Sequence, residues 1–342
     1  MALKLYYPRN VFAVWNTDAN ERRFCASAGI GTLLARYVVA KRQGISLGSR
    51  YETDGFVRVA VAVDSEGVKQ FSGSKYVQSI ISREQYDTIV SYLASGRWVL
   101  FVGTPCQVAA IKAYVVKRQS CDINRLVTVD IICHGTCPPE YLHEEIMHLK
   151  QKYKLSDITD VRFRSNDEND YCLTLWNQGK LLLRQHYSIS YYLKGFLDGI
   201  TLRECCYSCP FAKPERSGDI TIGDYVGLDA NIAADHANDG NTSAVFVNTP
   251  KGEALFDEIL NNYPELVAIE RSYDERLALA PPLRIPSPRD PRQQQFMNHY
   301  RRVGYIKAIR RTIWREVFIA RHRWLLLPHR IVSKLKRRLH WK

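Results

Sequence analysis

The sequence predicts an α/β fold in which a partly parallel sheet forms the core, with an antiparallel insertion and a basic C-terminal helical tail. Over the first 150 residues apolar strand patterns alternate with helical patterns, an order typical of parallel strands joined by helices. At about residues 158–183, short alternating segments separated by Asn, Asp and Gly indicate antiparallel strands. The last 42 residues combine helical spacing with many Lys and Arg residues.

Individual elements follow from the period of the apolar residues, which is close to two in strands and 3.6 in helices. Strands are predicted at residues 11–14, 56–63, 98–102, 126–133, 220–223 and 244–247. Helices are predicted at residues 27–40, 84–93, 108–116, 139–152 and 252–260. Five of the fourteen prolines lie between residues 281 and 291, so we expect a body over residues 1–300 and a tail over residues 301–342.

The net charge of +13 belongs to the tail. Residues 301–342 hold 14 of the 48 Lys and Arg residues and a single acid, Glu316, which leaves 34 bases and 34 acids in the body. No base-stacking platform or reading motif accompanies the charge, so we do not expect nucleic-acid binding. The length and the 46% hydrophobic content exclude a disordered or fibrous protein.

Targeting signals are absent from the sequence pattern. The first residues lack the apolar run of a signal peptide, and every apolar stretch is shorter than the roughly 18 residues of a membrane span. Nine cysteines, an odd number in a chain long enough to bury its own core, favour reduced thiols over a disulfide framework. We therefore expect a cytoplasmic protein.

Four cysteines have the spacing of a metal site. Cys106 follows the strand at 98–102, Cys133 ends the strand at 126–133, and Cys206 and Cys209 form a C-x-x-C pair. Thiols at the ends of two parallel strands can converge on one sheet edge, and four thiolates suit an iron–sulfur cluster or a structural zinc ion. Inert buried thiols are the alternative. We expect inert thiols at Cys25, Cys121 and Cys172. Cys137 and Cys205 lie close enough in sequence to the four candidates to substitute for one of them as a ligand.

Five motifs, in order, resemble those of the coenzyme F420 hydrogenase/dehydrogenase β-subunit family. They are Gly-Ser-Lys-Tyr-Val-Gln-Ser at 73–79, Gly-Thr-Pro-Cys-Gln at 103–107, Asp-Ile-Ile-Cys-His-Gly at 130–135, Arg-Glu-Cys-Cys-Tyr-Ser-Cys-Pro-Phe-Ala at 203–212, and Arg-Ser-Gly-Asp-Ile-Thr-Ile-Gly-Asp at 216–224. The resemblance covers about residues 10–300 and is to the short bacterial form found beside surface-polysaccharide genes.

The resemblance implies an oxidoreductase that binds FAD and a 4Fe-4S cluster and exchanges electrons with coenzyme F420 or another organic acceptor. Cys106, Cys133, Cys206 and Cys209 would hold the cluster, with zinc in the same thiolates as the alternative. Many longer relatives carry a ferredoxin module that this chain lacks, so a separate ferredoxin-like protein would donate the electrons. The other interpretation is a redox-inactive relative that serves as a membrane-associated scaffold in surface-polysaccharide synthesis.

The flavin site implied by the resemblance combines a helix start with two of the motifs. Ser27 and Gly29 belong to a small-residue segment, 26–29, where backbone N–H groups can approach a phosphate. Five further candidate contacts come from the motifs at 73–79 and 103–107, namely Ser74, Lys75, Tyr76, Thr104 and Gln107. This chain departs from the family at two positions: Ala28 stands where relatives have the first glycine of this segment, and Val226 stands where they have a tryptophan. His134, next to a proposed ligand, either donates a hydrogen bond to a cluster sulfur, relays a proton or is a structural histidine.

The tail predicts an amphipathic helix. Its apolar stripe is formed by Ile306, Ile309, Ile313, Val317, Ala320 and Trp324, and is widened by Trp314, Phe318 and Leu325. The other side carries basic residues. Such a helix lies on an anionic membrane surface, here at the inner membrane face, or packs its stripe on the body or on a partner subunit.

Overall fold

A computed structural model describes residues 4–18, 25, 27–118, 121–165, 170–228 and 242–322. Its main sheet has eight strands in the order β11-β1-β10-β9-β5-β4-β2-β3. They are β1 (Asn10–Asn16), β2 (Ile45–Tyr51), β3 (Val57–Ala62), β4 (Val99–Gly103), β5 (Leu126–Ile131), β9 (Ile220–Asp224), β10 (Ser243–Val247) and β11 (Leu266–Arg271). The central pairs β2–β4, β4–β5 and β5–β9 are parallel, whereas the outer pairs are antiparallel. The predicted α/β class with a partly parallel sheet is confirmed.

Helices cover both faces of this sheet. They are α1 (Ile30–Ala40), α2 (Ser65–Lys69), α3 (Arg83–Ala94), α4 (Pro105–Val116), α5 (Pro139–Tyr153), α6 (Tyr191–Leu197), α7 (Pro250–Asn262), α8 (Tyr273–Leu279) and α9 (Arg292–Arg321). On β4, Leu100 packs with α1 and α7, and its neighbours Val99 and Phe101 pack with α3 and α4. Successive strand residues point to opposite faces, so both faces need an apolar cover.

A three-stranded antiparallel sheet forms the predicted insertion. It consists of β6 (Asp160–Ser165), β7 (Asp170–Asn177) and β8 (Lys180–His186). This sheet shares a second core with α5, α6 and α9. Phe296 and Ile309, which lie on either side of the expected boundary at residue 300, are both fully buried in that core. The boundary therefore falls inside α9, which packs on the body over its described length.

Several elements differ from the sequence prediction. Strand β2 was not expected, because its buried Ser46 and its Gly48 interrupt the apolar pattern; the Ser46 hydroxyl donates to the Ala35 carbonyl and Phe71 packs against Gly48. Strand β5 ends at Ile131 rather than at Cys133. Its last ladder partners are Gly103, which ends β4, and Ile222 on β9, so the chain leaves the sheet after Ile131. Helix α6 and strand β11 were also not predicted.

Some of the sequence predictions concern residues beyond the described ranges. Ala26 and the tail beyond residue 322, which includes Trp324 and Leu325, lie outside the described residues. Within the described residues, no helix combines the length and the apolar character needed to cross a bilayer.

Candidate redox site

Two cavities adjoin at the carboxyl ends of the parallel strands. In open α/β sheets this edge is where ligands bind, because the loops that follow parallel strands meet there. The larger cavity has a volume of about 430 Å³ and the smaller about 230 Å³. We call them the helix-end cavity, after the start of α1 in its wall, and the cysteine cavity.

The helix-end cavity brings together all seven residues predicted to contact a flavin. Its wall includes Ser27, Gly29, Ser74, Lys75, Tyr76, Thr104 and Gln107. They come from the start of α1, the segment after α2 and the turn between β4 and α4. Its volume lies within the range of about 300–1,000 Å³ that is usual for pockets that bind cofactors.

The backbone N–H groups at the start of α1 lie at the helix-end cavity. Gly29 is the N-cap with a φ of +79°, no side chain of the described residues caps the first turn, and that turn carries no acid. Ala28, the departure from the family pattern, is buried and its N–H donates to the Ser243 hydroxyl at 3.1 Å. The left-handed position is thus Gly29 and not Ala28. The helix dipole and these N–H groups suit a phosphate here.

Lys75 supplies a cation to the same cavity. Its ammonium group donates to the Ser72 carbonyl at 2.5 Å and to the Gly73 carbonyl at 3.2 Å. Burial lowers the pKa of Lys75 to about 8, against a smaller opposing effect of Asp160. An anion in the cavity would stabilise the protonated amine.

Tyr76 belongs to an aromatic wall. Its ring stacks on Phe196 with centroids 5.0 Å apart and lies 6.1 Å from the ring of Tyr171. All three residues line the cavity. Burial raises the pKa of Tyr76, so its hydroxyl stays protonated at neutral pH. Such a wall suits a flat apolar ring system.

Thr104 and Gln107 line the cavity but also cap α4. The Gln107 amide oxygen accepts from the Thr104 N–H at 3.2 Å and hydroxyl at 3.1 Å, and its amide nitrogen donates to the Ser79 carbonyl at 2.9 Å. This capping box fixes the turn that carries Cys106. Both side chains therefore position the turn as well as facing the cavity.

The cysteine cavity is lined by all four predicted ligands, Cys106, Cys133, Cys206 and Cys209. Of the two spare cysteines, Cys205 also lines it. Cys137 lies instead in the second core, where its thiol is 3.2 Å from the Thr201 hydroxyl. The described residues include all nine cysteines, and none of them is joined in a disulfide bond.

Apolar and basic residues surround these thiols. Prolines, Phe211 and Ala212 form much of the wall, and Arg203 and Arg216 are its only charged residues among those described. Burial and, to a smaller extent, the neighbouring thiols Cys106, Cys206 and Cys209 raise the pKa of Cys133 to about 12. A thiol with such a raised pKa becomes charged at neutral pH only with a cation bound beside it.

The fit to a metal group follows from this donor set. Four thiols meet the ligand requirement of an iron–sulfur cluster or of zinc, and 230 Å³ accommodates a group larger than one ion. Among the described residues, no three Cys, His, Asp or Glu side chains converge closely enough to hold a single metal ion. The thiols thus surround the cavity without gathering at one point.

One stretch of chain separates the two cavities. Thr104 and the segment 133–136 line both of them. Within this wall, the ring of His134 packs edge-on against Phe196 with centroids 4.6 Å apart. Burial lowers the pKa of His134 more than a hydrogen bond with the Phe196 backbone raises it, so the ring is neutral at pH 7. Gly135, with a φ of +132°, lets Leu202 and Cys206 approach this wall.

Arg216 and Asp219 of the last motif have structural roles. The carboxylate of Asp130 on β5 accepts from the guanidinium of Arg216 at 3.1 Å and from the Ser217 N–H at 3.2 Å. Asp219 accepts from the Thr128 N–H and hydroxyl, each at 2.8 Å. These hydrogen bonds thus attach the motif at 216–224, which follows the C-x-x-C pair in the chain, to strand β5.

Two further residues in the wall of the helix-end cavity, Asp224 and Ser243, were not predicted from the sequence as contacts of a ligand. Asp224, at the end of β9, lines it and accepts from the guanidinium of Arg164 on β6. The ion pair joins the main sheet to the insertion and raises the pKa of Arg164. Ser243, which lines the cavity and bonds the Ser27 hydroxyl at 2.7 Å, was missed as well. Both pairs join residues far apart in sequence, so no local pattern marks them.

Comparisons with known proteins agree with this architecture. Residues 96–272 match the family model for the C-terminal part of the β subunit of coenzyme F420 hydrogenase/dehydrogenase. The fold is similar to a chain of the F420-reducing [NiFe] hydrogenase complex from Methanosarcina barkeri, with 14% identity and a TM-score of 0.55 over 82% of this chain and 90% of that one. A search of curated proteins found no match.

The fold and the site define an α/β protein with a ligand cavity and a thiol-lined cavity side by side at the carboxyl ends of parallel strands. The family model covers more than half of the 342 residues, and the chain belongs to the coenzyme F420 hydrogenase/dehydrogenase β-subunit family. Membership indicates a redox function of the kind found in F420 hydrogenase β subunits.

Proposed function

We propose that the protein is a flavin- and iron–sulfur-dependent oxidoreductase that relays electrons from a separate iron–sulfur donor protein to an organic substrate. The observation that carries this proposal is the wall shared by the cysteine cavity and the helix-end cavity. A single stretch of chain, 133–136, separates four thiols from a cavity with an anion-binding helix start. Two redox groups bound in these cavities would be close neighbours.

The cluster would be held by Cys106, Cys133, Cys206 and Cys209. When bound, a 4Fe-4S cluster supplies one-electron transfer. Cys106 is exposed, so this side of the cysteine cavity is open to an electron donor. Arg203 in the wall compensates part of the negative charge of four thiolates.

The flavin would be FAD, with its phosphates at the start of α1 near Gly29 and Lys75. When bound, a flavin supplies the change from one-electron to hydride transfer. Tyr76 and Phe196 offer a flat apolar wall for its ring, and Ser27 and Ser74 offer hydroxyls. Thr104 and Gln107 hold the turn that lies between the two groups.

The residues around the helix-end cavity also control protons. His134 is neutral and partly buried, and it lies in both walls, where its ring would relay a proton by accepting one at one ring nitrogen while it gives up another from the second. The proposal extends to the organic substrate. Coenzyme F420 is one candidate, supported by the similarity to an F420-reducing hydrogenase complex.

The proposed cell compartment is the cytoplasm.

The electron relay is tested by anaerobic stopped-flow reduction with a reduced viologen as a one-electron donor. We expect Cys206→Ala to keep its flavin but to slow flavin reduction about tenfold or more, because the route through the thiols is lost. Cys121→Ser, at a thiol outside both cavities, is the matched control. Equal rates of flavin reduction in Cys206→Ala and wild type would rule out the relay.

The alternative is the redox-inactive scaffold in surface-polysaccharide synthesis. It predicts a colourless protein that binds neither iron nor flavin after anaerobic purification. The fitting donor set of the cysteine cavity favours the oxidoreductase, because a scaffold has no need for four thiols around one cavity.

A further inference from the structure

The last turns of α9 have a buried side and an exposed side. Ile309, Ile313 and Val317 are fully buried against the second core, whereas Trp314 and Phe318 have about half of their surface exposed, at 49% and 51%. The buried side already has its partner in the body. The exposed aromatic residues have none among the described residues.

The exposed residues form one continuous face, which we call the outer face of α9. Its exposed members are Arg311, Trp314, Arg315, Phe318 and Ile319, and the half-buried His322 ends it. Steps of three and four residues place the members from Trp314 to His322 on the same side of the helix that follows Ile313, and Arg311 lies just before that residue. The rings of Trp314 and Phe318 are 6.4 Å apart, and Phe318 lies 4.2 Å from the ring of His322. A non-helical backbone at Ile313 turns these last residues relative to the preceding helix.

The charge of this face is positive. Arg311 and Arg315 are exposed on it, and the acid Glu316 turns away to accept from Arg292 at 2.9 Å. The sequence that follows, 323–342, adds seven Lys or Arg residues and no acid. The partner of the outer face is therefore negatively charged and has room for two aromatic rings.

We propose that the outer face of α9 docks on an anionic phospholipid surface. Arginines bind lipid phosphates with two N–H groups, and Trp and Phe side chains enter the headgroup layer. A second copy of the chain is a poor partner, because a symmetric contact would bring two positively charged faces together. This inference does not depend on the proposed redox function.

Vesicle co-sedimentation of the full chain tests it. The probes are vesicles of phosphatidylcholine alone and of phosphatidylcholine with about a quarter phosphatidylglycerol, at about 50 mM and about 500 mM salt. We expect binding only to the anionic vesicles, and weaker binding at high salt. Arg311→Glu with Arg315→Glu, and separately Trp314→Ser with Phe318→Ser, should each lower the partition coefficient about tenfold or more.

Matched controls make the same changes elsewhere on the surface. Lys69→Glu with Arg83→Glu alters the net charge equally, and Val63→Ser with Val116→Ser removes exposed apolar side chains. Both controls should bind like the wild type, and thermal melting verifies that every variant is folded. Equal vesicle binding by all variants would overturn the proposal. So would a wild-type dimer in analytical ultracentrifugation that Trp314→Ser with Phe318→Ser dissociates.

Discussion

The guanidinium of Arg216 and the carboxylate of Asp130 form an ion pair with exposed fractions of only 1% and 0%. The pair joins β5, which leads to Cys133, to the chain that follows Cys209. The hydroxyls of Ser217 and Thr221 also donate to Asp130, so both oxygens of this carboxylate accept hydrogen bonds. This buried ion pair and its hydrogen bonds therefore join the two parts of the chain that carry the cysteines.

Breaking this pair should be costly, because it leaves a charge buried without its partner. We expect Asp130→Asn to lower the free energy of unfolding by about 3 kcal/mol in urea denaturation. The exposed pair of Arg9 and Glu253 is the control, and Glu253→Gln should cost less than about 1 kcal/mol. Similar losses in the two variants would contradict a structural role of the buried pair.

The backbone conformation of Gly29 leads to a second prediction, which concerns stability and flavin binding at the start of α1. A Cβ at this position would lie 2.8 Å from the Cys25 sulfur, and the φ of +79° disfavours any other residue. Gly29→Ala should lower stability by about 1–2 kcal/mol and also weaken flavin binding. Gly96→Ala has a similar backbone, with a φ of +73° and open space around it. This control should lose stability but bind flavin normally in fluorescence titration; if both variants lose flavin equally, the start of α1 is not the phosphate site.

Lys75 predicts a pH dependence of flavin binding. Because its pKa is lowered to about 8, the free protein loses the cation as pH rises through that value. An anionic ligand raises the pKa of Lys75, so the affinity should be constant below pH 8 and fall by up to about tenfold per pH unit above it. Fluorescence titrations between about pH 6 and pH 10 measure this. Lys75→Met should bind more weakly and with a flat profile; a falling profile in Lys75→Met would assign the effect to another group.

Glu145 predicts a pH dependence of stability. Its side chain is fully buried on α5, and neither of its oxygens has a hydrogen-bond partner among the residues that the structure describes. Arg310 on α9 lies 3.8 Å away. Burial raises the pKa of Glu145, against the smaller lowering effect of Arg310. The folded state therefore holds a proton that the unfolded state releases above its own pKa near 4.5.

The stabilising contribution of this proton is complete below the unfolded pKa and is lost as pH rises through the folded pKa. Glu145→Gln should consequently raise the free energy of unfolding at pH 8 by about 1 kcal/mol and have a smaller effect at low pH. Denaturation at several pH values measures the difference, with exposed Glu66→Gln as control. An equal effect of Glu145→Gln at every pH would mean that the carboxyl does not titrate in this range.

The cysteines illustrate what the sequence can predict. Cys106 and Cys133 follow strands whose apolar runs are local patterns, and parallel strands bring their carboxyl ends together, so a common site was expected. The C-x-x-C pair is likewise local. Cys205 and Cys137 could not be separated in this way, because one faces the cavity and the other the second core only after residues 199–206 have packed.

The tail illustrates what a local pattern leaves open. Helical spacing placed Ile309, Ile313 and Val317 with Trp314 and Phe318 on one broad apolar face, but the structure divides them between the core and the surface. The division depends on where α5 and the insertion lie, which is a long-range property. The Arg164 and Asp224 pair depends on the same packing.

The central claim is that four named cysteines hold a cluster beside a flavin in the same chain. Its most direct test is iron, sulfide and flavin analysis of anaerobically purified wild type and single Cys→Ala variants. We expect about four iron and four sulfide per flavin in wild type and in Cys137→Ala, with loss of iron in the variants of Cys106, Cys133, Cys206 and Cys209. Unchanged iron in those four variants, or a wild-type protein with zinc and no flavin, would contradict the claim.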